Sequence, residues 1–165
     1  MFREVTLAGL AAGRLLLHSI PGQREALEAL WAEAKREKLD AIVRLTEMHE
    51  TRSRSPVYAA ALESNTVPFT VLACEIPDHG VPTEPDEFWS LARNVAARLR
   101  AGEVILVHCN AGIGRTGTFA AAVLLALGHP MDAAIRTVSG AGSSPETQEQ
   151  AALIKWCASS VRNDT

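Results

Sequence analysis

Five residues, Asn110-Ala111-Gly112-Ile113-Gly114, separate Cys109 from Arg115, and Thr116 follows. Ahead of them the apolar run Val104-Ile105-Leu106-Val107 reads as a buried strand. Behind them Thr118 to Leu127 is helix-forming and apolar nearly all round. A cysteine therefore sits on a glycine-spaced loop between a strand and a helix. Gly112 and Gly114 let the loop curl and aim successive N–H groups inward. The helix N-terminus adds unpaired N–H groups and the positive end of its dipole. Arg115 offers a planar fork matched to two oxygens of a phosphate. The loop is a site for a tetrahedral dianion, and a thiol in that field is expected to react as the thiolate. Phosphoryl transfer to Cys109 is the chemistry these residues suit.

Several elements must position this loop. Gly13–Ile20 is predicted as a strand, stopped by the turn pair Pro21-Gly22. An amphipathic helix is predicted from near Gln23 to Lys38, with Leu27, Leu30, Trp31 and Ala34 as its apolar stripe. His18 reads as a strand surface residue. Ala41–Leu45 is predicted as a strand, Thr46–Ser55 as a polar loop, Val57–Leu62 as a short helix and Phe69–Cys74 as a strand. The stretch Glu75-Ile76-Pro77-Asp78-His79-Gly80-Val81-Pro82 is a shaped, non-regular loop that carries an acid outward. Thr83-Glu84-Pro85-Asp86 marks a capped helix start, with the helix running to about Arg100. A further helix opens at Pro130-Met131, Gly140–Ser144 reads as a flexible loop, and Ser144-Pro145 is expected to begin the last helix. The result is an α/β fold: a central, mostly parallel sheet of four or five strands with helices on both faces.

The Cys109 loop resembles that of the cysteine-dependent protein tyrosine phosphatase superfamily, including its dual-specificity members. The signature of His-Cys, five residues, Arg, then Ser or Thr is met by His108, Cys109, Arg115 and Thr116. The resemblance implies a two-step mechanism. Cys109 attacks phosphorus while Arg115 and the N–H groups of residues 110–114 hold the equatorial oxygens. Thr116 hydrogen-bonds the departing thiolate, and His108 orients the loop through backbone bonds. The resemblance extends to Pro77, Asp78, Gly80, Val81 and Pro82, with Ile76 where the tyrosine-specific enzymes have tryptophan. It implies that Asp78 protonates the leaving oxygen and then acts as base for the hydrolytic water; taken alone, an Asp after Pro is a turn former. Glu75 is the other acid on this segment. Arg52 and Arg54 lie in a region that borders the substrate in the resembled family, although loop solvation also accounts for them. Glu146-Thr147-Gln148-Glu149-Gln150 resembles the loop that places the hydrolytic water, with Gln150 matching and Gln148 a substitute for the glutamine that Glu146 replaces.

The 165 residues suit one phosphatase domain spanning 1–165, and 47% hydrophobic residues argue against disorder. A net charge of −3 leaves no nucleic-acid or membrane footprint. Cys74, Cys109 and Cys157 do not form a disulfide framework, so a reducing, cytoplasmic setting is expected. The N-terminal stretch Met1–Ala12 superficially suggests a secretion signal, but Glu4 and Arg14 interrupt the pattern. No metal or cofactor is expected, and a monomer acting on phosphorylated protein or peptide is. Three alternatives stay open: a phosphoinositide or inositol-phosphate phosphatase, a catalytically weak phosphoprotein-binding module, and a sulfurtransferase or arsenate reductase, which explains Pro77-Asp78 and Thr116 less economically. The neutral Asn110, Ala111 and Ile113 argue against the first, because enzymes acting on such polyanions often carry lysines inside the loop.

Overall fold

The computed structural model describes residues 1–163. Five strands form one sheet in the order β1-β2-β5-β3-β4. They are β1 (Arg3–Val5), β2 (Arg14–His18), β3 (Ala41–Arg44), β4 (Thr70–Ala73) and β5 (Val104–His108). The last four run parallel, and β1 adds antiparallel to β2. Among the described residues there are seven helices: α1 (Leu27–Arg36), α2 (Met48–Arg54), α3 (Pro56–Glu63), α4 (Pro85–Arg100), α5 (Gly114–Ala126), α6 (Met131–Gly140) and α7 (Gln148–Asn163).

The central strands are apolar on both faces because both faces are covered. Leu15, Leu17, Val43, Ile105 and Val107 pack in one core with residues of α4, α5, α6 and α7. The alternate positions Leu16, Ile42 and Leu106 pack in a second core with Ala34 of α1. Helix α5 is buried on every side, from Gly114 to Leu125. An amphipathic stripe is not needed in a helix with neighbours all round, which is why its sequence lacks one. Cys157 lies in the main core, and burial pushes its thiol up to about 12. Burial, then the charges of Glu87 and Glu75, push the Cys74 thiol up to about 11.

Several elements depart from the sequence expectation. Helix α1 is shorter than Gln23–Lys38. Ala26 is extended at its N-cap, Glu25 turns aside to His18 at 3.1 Å, and Lys38 lies in the left-handed region at φ 58°. His18 is buried rather than on the strand surface, because the Phe2 ring stands edge-on over it at 5.3 Å. The stretch predicted as a polar loop contains α2. That helix has no apolar stripe for periodicity to detect. Its acids lie early and its arginines late, as the helix dipole favours, and Glu75 from a distant loop accepts the Met48 N–H at 2.9 Å. Helix α4 starts as expected but has no side-chain cap bond. Helix α5 begins at Gly114, four residues before Thr118. Helix α7 begins at Gln148 rather than Ser144: Thr147 Oγ1 accepts the Gln150 N–H at 3.1 Å while the Gln150 side chain reaches back to the Glu146 N–H at 2.8 Å, a reciprocal cap.

Candidate active site

The carboxyl ends of the parallel strands converge, which is where open α/β sheets place their sites. Strand β5 delivers Cys109, β3 leads to α2 with Glu50, and β4 leads to the loop carrying Asp78. A cavity of about 240 Å³ opens there, lined by Cys109, Asn110, Ala111, Gly114 and Arg115 from the loop. Arg54, Asp78, His79, Glu146 and Gln150 complete its wall. A larger cleft of about 500 Å³, beside α2, α3 and β4, contains none of the Cys109 loop residues.

Cys109 is 3% exposed at the floor. Its Sγ accepts the Thr116 hydroxyl at 3.0 Å and the Gly112 N–H at 3.3 Å. Thr116 reaches it because the helix already includes Gly114, Arg115 and Thr116. The N–H groups of these first-turn residues have no carbonyl four residues back within the helix. Gly112 has φ +77°, and a Cβ there would lie 2.5 Å from the His18 carbonyl oxygen. A side chain is excluded both by backbone conformation and by space.

Arg115 is buried and heavily bonded. Nη1 and Nη2 each donate to one oxygen of Glu50 at 2.7 Å, a two-pronged pair. Nη1 also donates to the Ile76 carbonyl at 3.0 Å, and Nη2 to Asp78 Oδ1 at 3.1 Å. Burial pulls the guanidinium pKa down, but the Glu50 bond and the charges of Cys109, Glu50 and Asp78 outweigh it and leave it raised. Glu50 was missed by sequence reasoning, since it stands in the stretch read as a polar loop. The available signal was an acid at mid-helix spacing between Glu47 and the arginines.

His108 is fully buried behind the loop. Its Nδ1 lies 3.1 Å from the Cys109 carbonyl and its Nε2 lies 3.0 Å from the Tyr58 hydroxyl. A carbonyl only accepts, so Nδ1 carries the proton and the Tyr58 hydroxyl donates to Nε2. Burial, with the charges of Arg44, His18 and Arg115 acting in the same direction, lowers the His108 pKa to about 3 against its backbone bond to Cys109. The ring is therefore neutral at working pH. Between about pH 6.5 and 3 the unfolded chain binds this proton and the folded one does not, so stability falls as pH falls through that window. The expected slope from this group is about 1 kcal/mol per pH unit. Urea midpoints across the window should fall less steeply for His108→Gln than for the wild type; parallel curves would contradict it.

The remaining predicted residues divide. Gln150 is buried and at the cavity, but its amide is engaged: Oε1 on the Glu146 N–H and Nε2 donating to the Gly80 carbonyl at 3.1 Å. It ties the Asp78 loop to the start of α7. Gln148 is exposed and does not line the cavity. Glu146 does, with its carboxylate 3.8 Å from His79. An added Cβ on Gly114 would lie 2.3 Å from Glu146 Oε2, so that carboxylate lies directly over the loop. Of the two arginines, Arg54 faces the cavity and Arg52 pairs with Glu63 at 2.7 Å. Glu75 turns away to Arg44 and the start of α2. Among the described residues no group of three or more His, Cys, Asp or Glu could hold a metal ion, and no helix is long and apolar enough to cross a membrane.

This sheet, with a cysteine loop feeding a buried helix, has the fold of the protein tyrosine and dual-specificity phosphatases. Kinase associated phosphatase, with its catalytic-site cysteine replaced by serine, superposes with a TM-score of 0.83 at 17% identity, covering 98% of this chain and 96% of that one. Tk-PTP in its active form gives 0.72 at 27% identity over 95% and 97%. PTPMT1 in complex with PI(5)P gives 0.74 at 18% over 94% and 96%. The family model described as "Polymorphic toxin system, DSP-PTPase phosphatase" matches residues 18–129, and the chain belongs to that family. In sequence, the human receptor-type tyrosine-protein phosphatase H is 48% identical over 48 residues, 27% of this chain and 4% of that protein. Drosophila melanogaster tyrosine-protein phosphatase corkscrew is 50% identical over 50 residues, 26% of this chain and 6% of that protein. The chain thus matches only a few per cent of the length of these relatives.

Proposed function

We propose that the chain hydrolyses phosphotyrosine monoesters in proteins or peptides, with phosphoserine and phosphothreonine as further substrates, through a cysteinyl-phosphate. The observation that carries the reading is the floor of the cavity, where the Cys109 sulfur accepts hydrogen bonds from Thr116 and Gly112 beside the Arg115 guanidinium. In the first step the Cys109 thiolate attacks phosphorus, the S–P bond forms and the P–O bond to the leaving group breaks. Asp78 gives its proton to that oxygen. In the second, water attacks phosphorus, its proton passes to the Asp78 carboxylate, and the S–P bond breaks. The returning thiolate is met by the Thr116 hydroxyl.

Glu50 occupies the Nη1–Nη2 edge of Arg115. The second two-donor edge, Nε with Nη2, is then the one for two phosphate oxygens, and Asp78 touches its Nη2. Substrate binding draws Nη2 onto phosphate and releases Asp78 toward the leaving oxygen. Arg115→Lys should lower kcat/KM by about a hundredfold or more, because an ammonium cannot make the planar contact. Glu50→Gln should cost about tenfold, since a hydrogen bond to a charged group contributes about 1.5–3 kcal/mol. Steady-state kinetics on a phenyl phosphate checks both, and an Arg115→Lys enzyme within about threefold of wild type would remove that role.

PTPMT1, crystallised with PI(5)P, shares the fold, so inositol phosphates are the second substrate class to measure. The neutral Asn110, Ala111 and Ile113 favour phosphopeptides. A panel of phosphotyrosine, phosphoserine and phosphothreonine peptides and inositol phosphates tests the reading. Preferred turnover of phosphotyrosine peptides supports it; preferred turnover of inositol phosphates overturns it, as does turnover of none.

A further inference from the structure

Arg3, on the edge strand β1, lies more than a hundred residues from the loop it touches. Its Nη2 donates to the Gly112 carbonyl at 2.6 Å. Its Nη1 donates to the Ala141 carbonyl at 2.9 Å and to Ser143 Oγ at 3.0 Å. The buried Ser143 hydroxyl in turn donates to the same Gly112 carbonyl at 2.6 Å. One carbonyl of the phosphate loop thus receives two donors from outside the loop. The Ser144 N–H adds a third tie, to the Ile113 carbonyl at 3.2 Å. The segment 141–144, expected to be a flexible loop, is a fixed strut between β1 and the cysteine loop.

The consequence follows from peptide geometry. In a trans peptide the C=O and the following N–H point in opposite directions. Holding the Gly112 carbonyl outward against Arg3 and Ser143 therefore turns the Ile113 N–H to the other side, toward the cradle. The positive φ of Gly112 leaves this peptide few steric restraints of its own, since glycine takes both signs of φ with comparable ease. The orientation has to be imposed from outside. A Cβ at Gly142 would come 2.9 Å from Arg3 Nη1, so the guanidinium is closely enclosed. Burial lowers the Arg3 pKa, and the Cys109 charge, acting against it, marks the guanidinium as close enough to the site to interact with it electrostatically.

We propose that Arg3, together with Ser143, is a positioning residue of the phosphate loop, fixing the Gly112–Ile113 peptide so that its N–H faces the bound phosphate. The proposal rests on the reading of the loop as a phosphate cradle. Its test uses binding and alkylation, neither of which requires turnover.

The full chain is prepared as wild type, Arg3→Met, Arg3→Lys and Ser143→Ala. Inorganic phosphate binding is measured by calorimetry, and the rate of Cys109 alkylation by iodoacetate at mildly acid pH, with thermal melting as the fold control. Arg3→Met is expected to weaken phosphate about tenfold and to slow alkylation, as loss of a charged hydrogen bond implies. Arg3→Lys should recover alkylation through its charge but not the full affinity, because an ammonium cannot span two carbonyls as the fork does. Ser143→Ala, which removes one hydroxyl, should weaken phosphate about threefold without slowing alkylation as much. Arg3→Met with wild-type phosphate affinity and alkylation rate overturns the proposal. If Arg3→Met does not fold, Ser143→Ala decides: unchanged phosphate affinity there overturns it as well. Failure of the wild-type chain to bind phosphate at all would instead remove the cradle reading.

Discussion

Cys109→Ser should abolish turnover while leaving phosphate and vanadate bound at the cavity. The two functions reside in different atoms. In the proposed mechanism, binding comes from loop N–H groups, the first turn of α5 and Arg115, none of which the substitution removes. Bond making, in the same mechanism, comes from sulfur. A serine hydroxyl is almost wholly protonated near neutral pH and is a far weaker nucleophile unless a base activates it. His108, the neighbour of Cys109 in sequence, donates through Nδ1 to the Cys109 carbonyl and accepts from Tyr58 through Nε2, so it is not placed to activate that hydroxyl. Phosphate release by the variant, assayed beside a chelator-treated wild type, is expected at background level. Appreciable activity would sink the covalent mechanism.

Asp78→Asn should slow phosphotyrosine peptide hydrolysis by about 10²–10⁴-fold, the usual range for a general acid. The loss should depend on the leaving group. A tyrosine phenolate, of pKa near ~10, needs protonation as the bond breaks, whereas an activated phenol needs little. The deficit should shrink steadily across a series of aryl phosphates, and the basic limb of the pH profile should flatten. Equal losses across the series would mean that Asp78 only shapes its loop. Glu75 is then no substitute, since it is committed to Arg44 and the Met48 N–H; Glu146, at the cavity wall, is the carboxylate to test next.

What was legible in the sequence was what is encoded locally. The buried strand, the two loop glycines and the apolar helix name the cysteine loop without help from any other segment. The parallel sheet follows from continuous apolar runs such as Val104–Val107. What escaped depends on contacts between distant segments. Helix α2 is held by Glu75 and by the pairing of Glu50 with Arg115 rather than by an apolar stripe. Arg3 looked like part of a leader-like stretch, and only the antiparallel pairing of β1 with β2 brings it behind Gly112. Gln150 matched a water-positioning pattern, yet its amide joins two loops. His18 reads as a surface residue because no metal-type partner stands at suitable spacing in the sequence; the Phe2 ring covers it.

The central claim is that phosphorus passes through sulfur at Cys109. Rapid acid quench of the wild-type chain mixed with an activated aryl phosphate, followed by mass analysis of the cleaved peptides, tests it directly. One phosphoryl group is expected on the peptide containing Cys109, formed within the burst of phenol release and absent in Cys109→Ser. A burst-free enzyme that turns over with no phosphoryl group on that peptide would contradict the account.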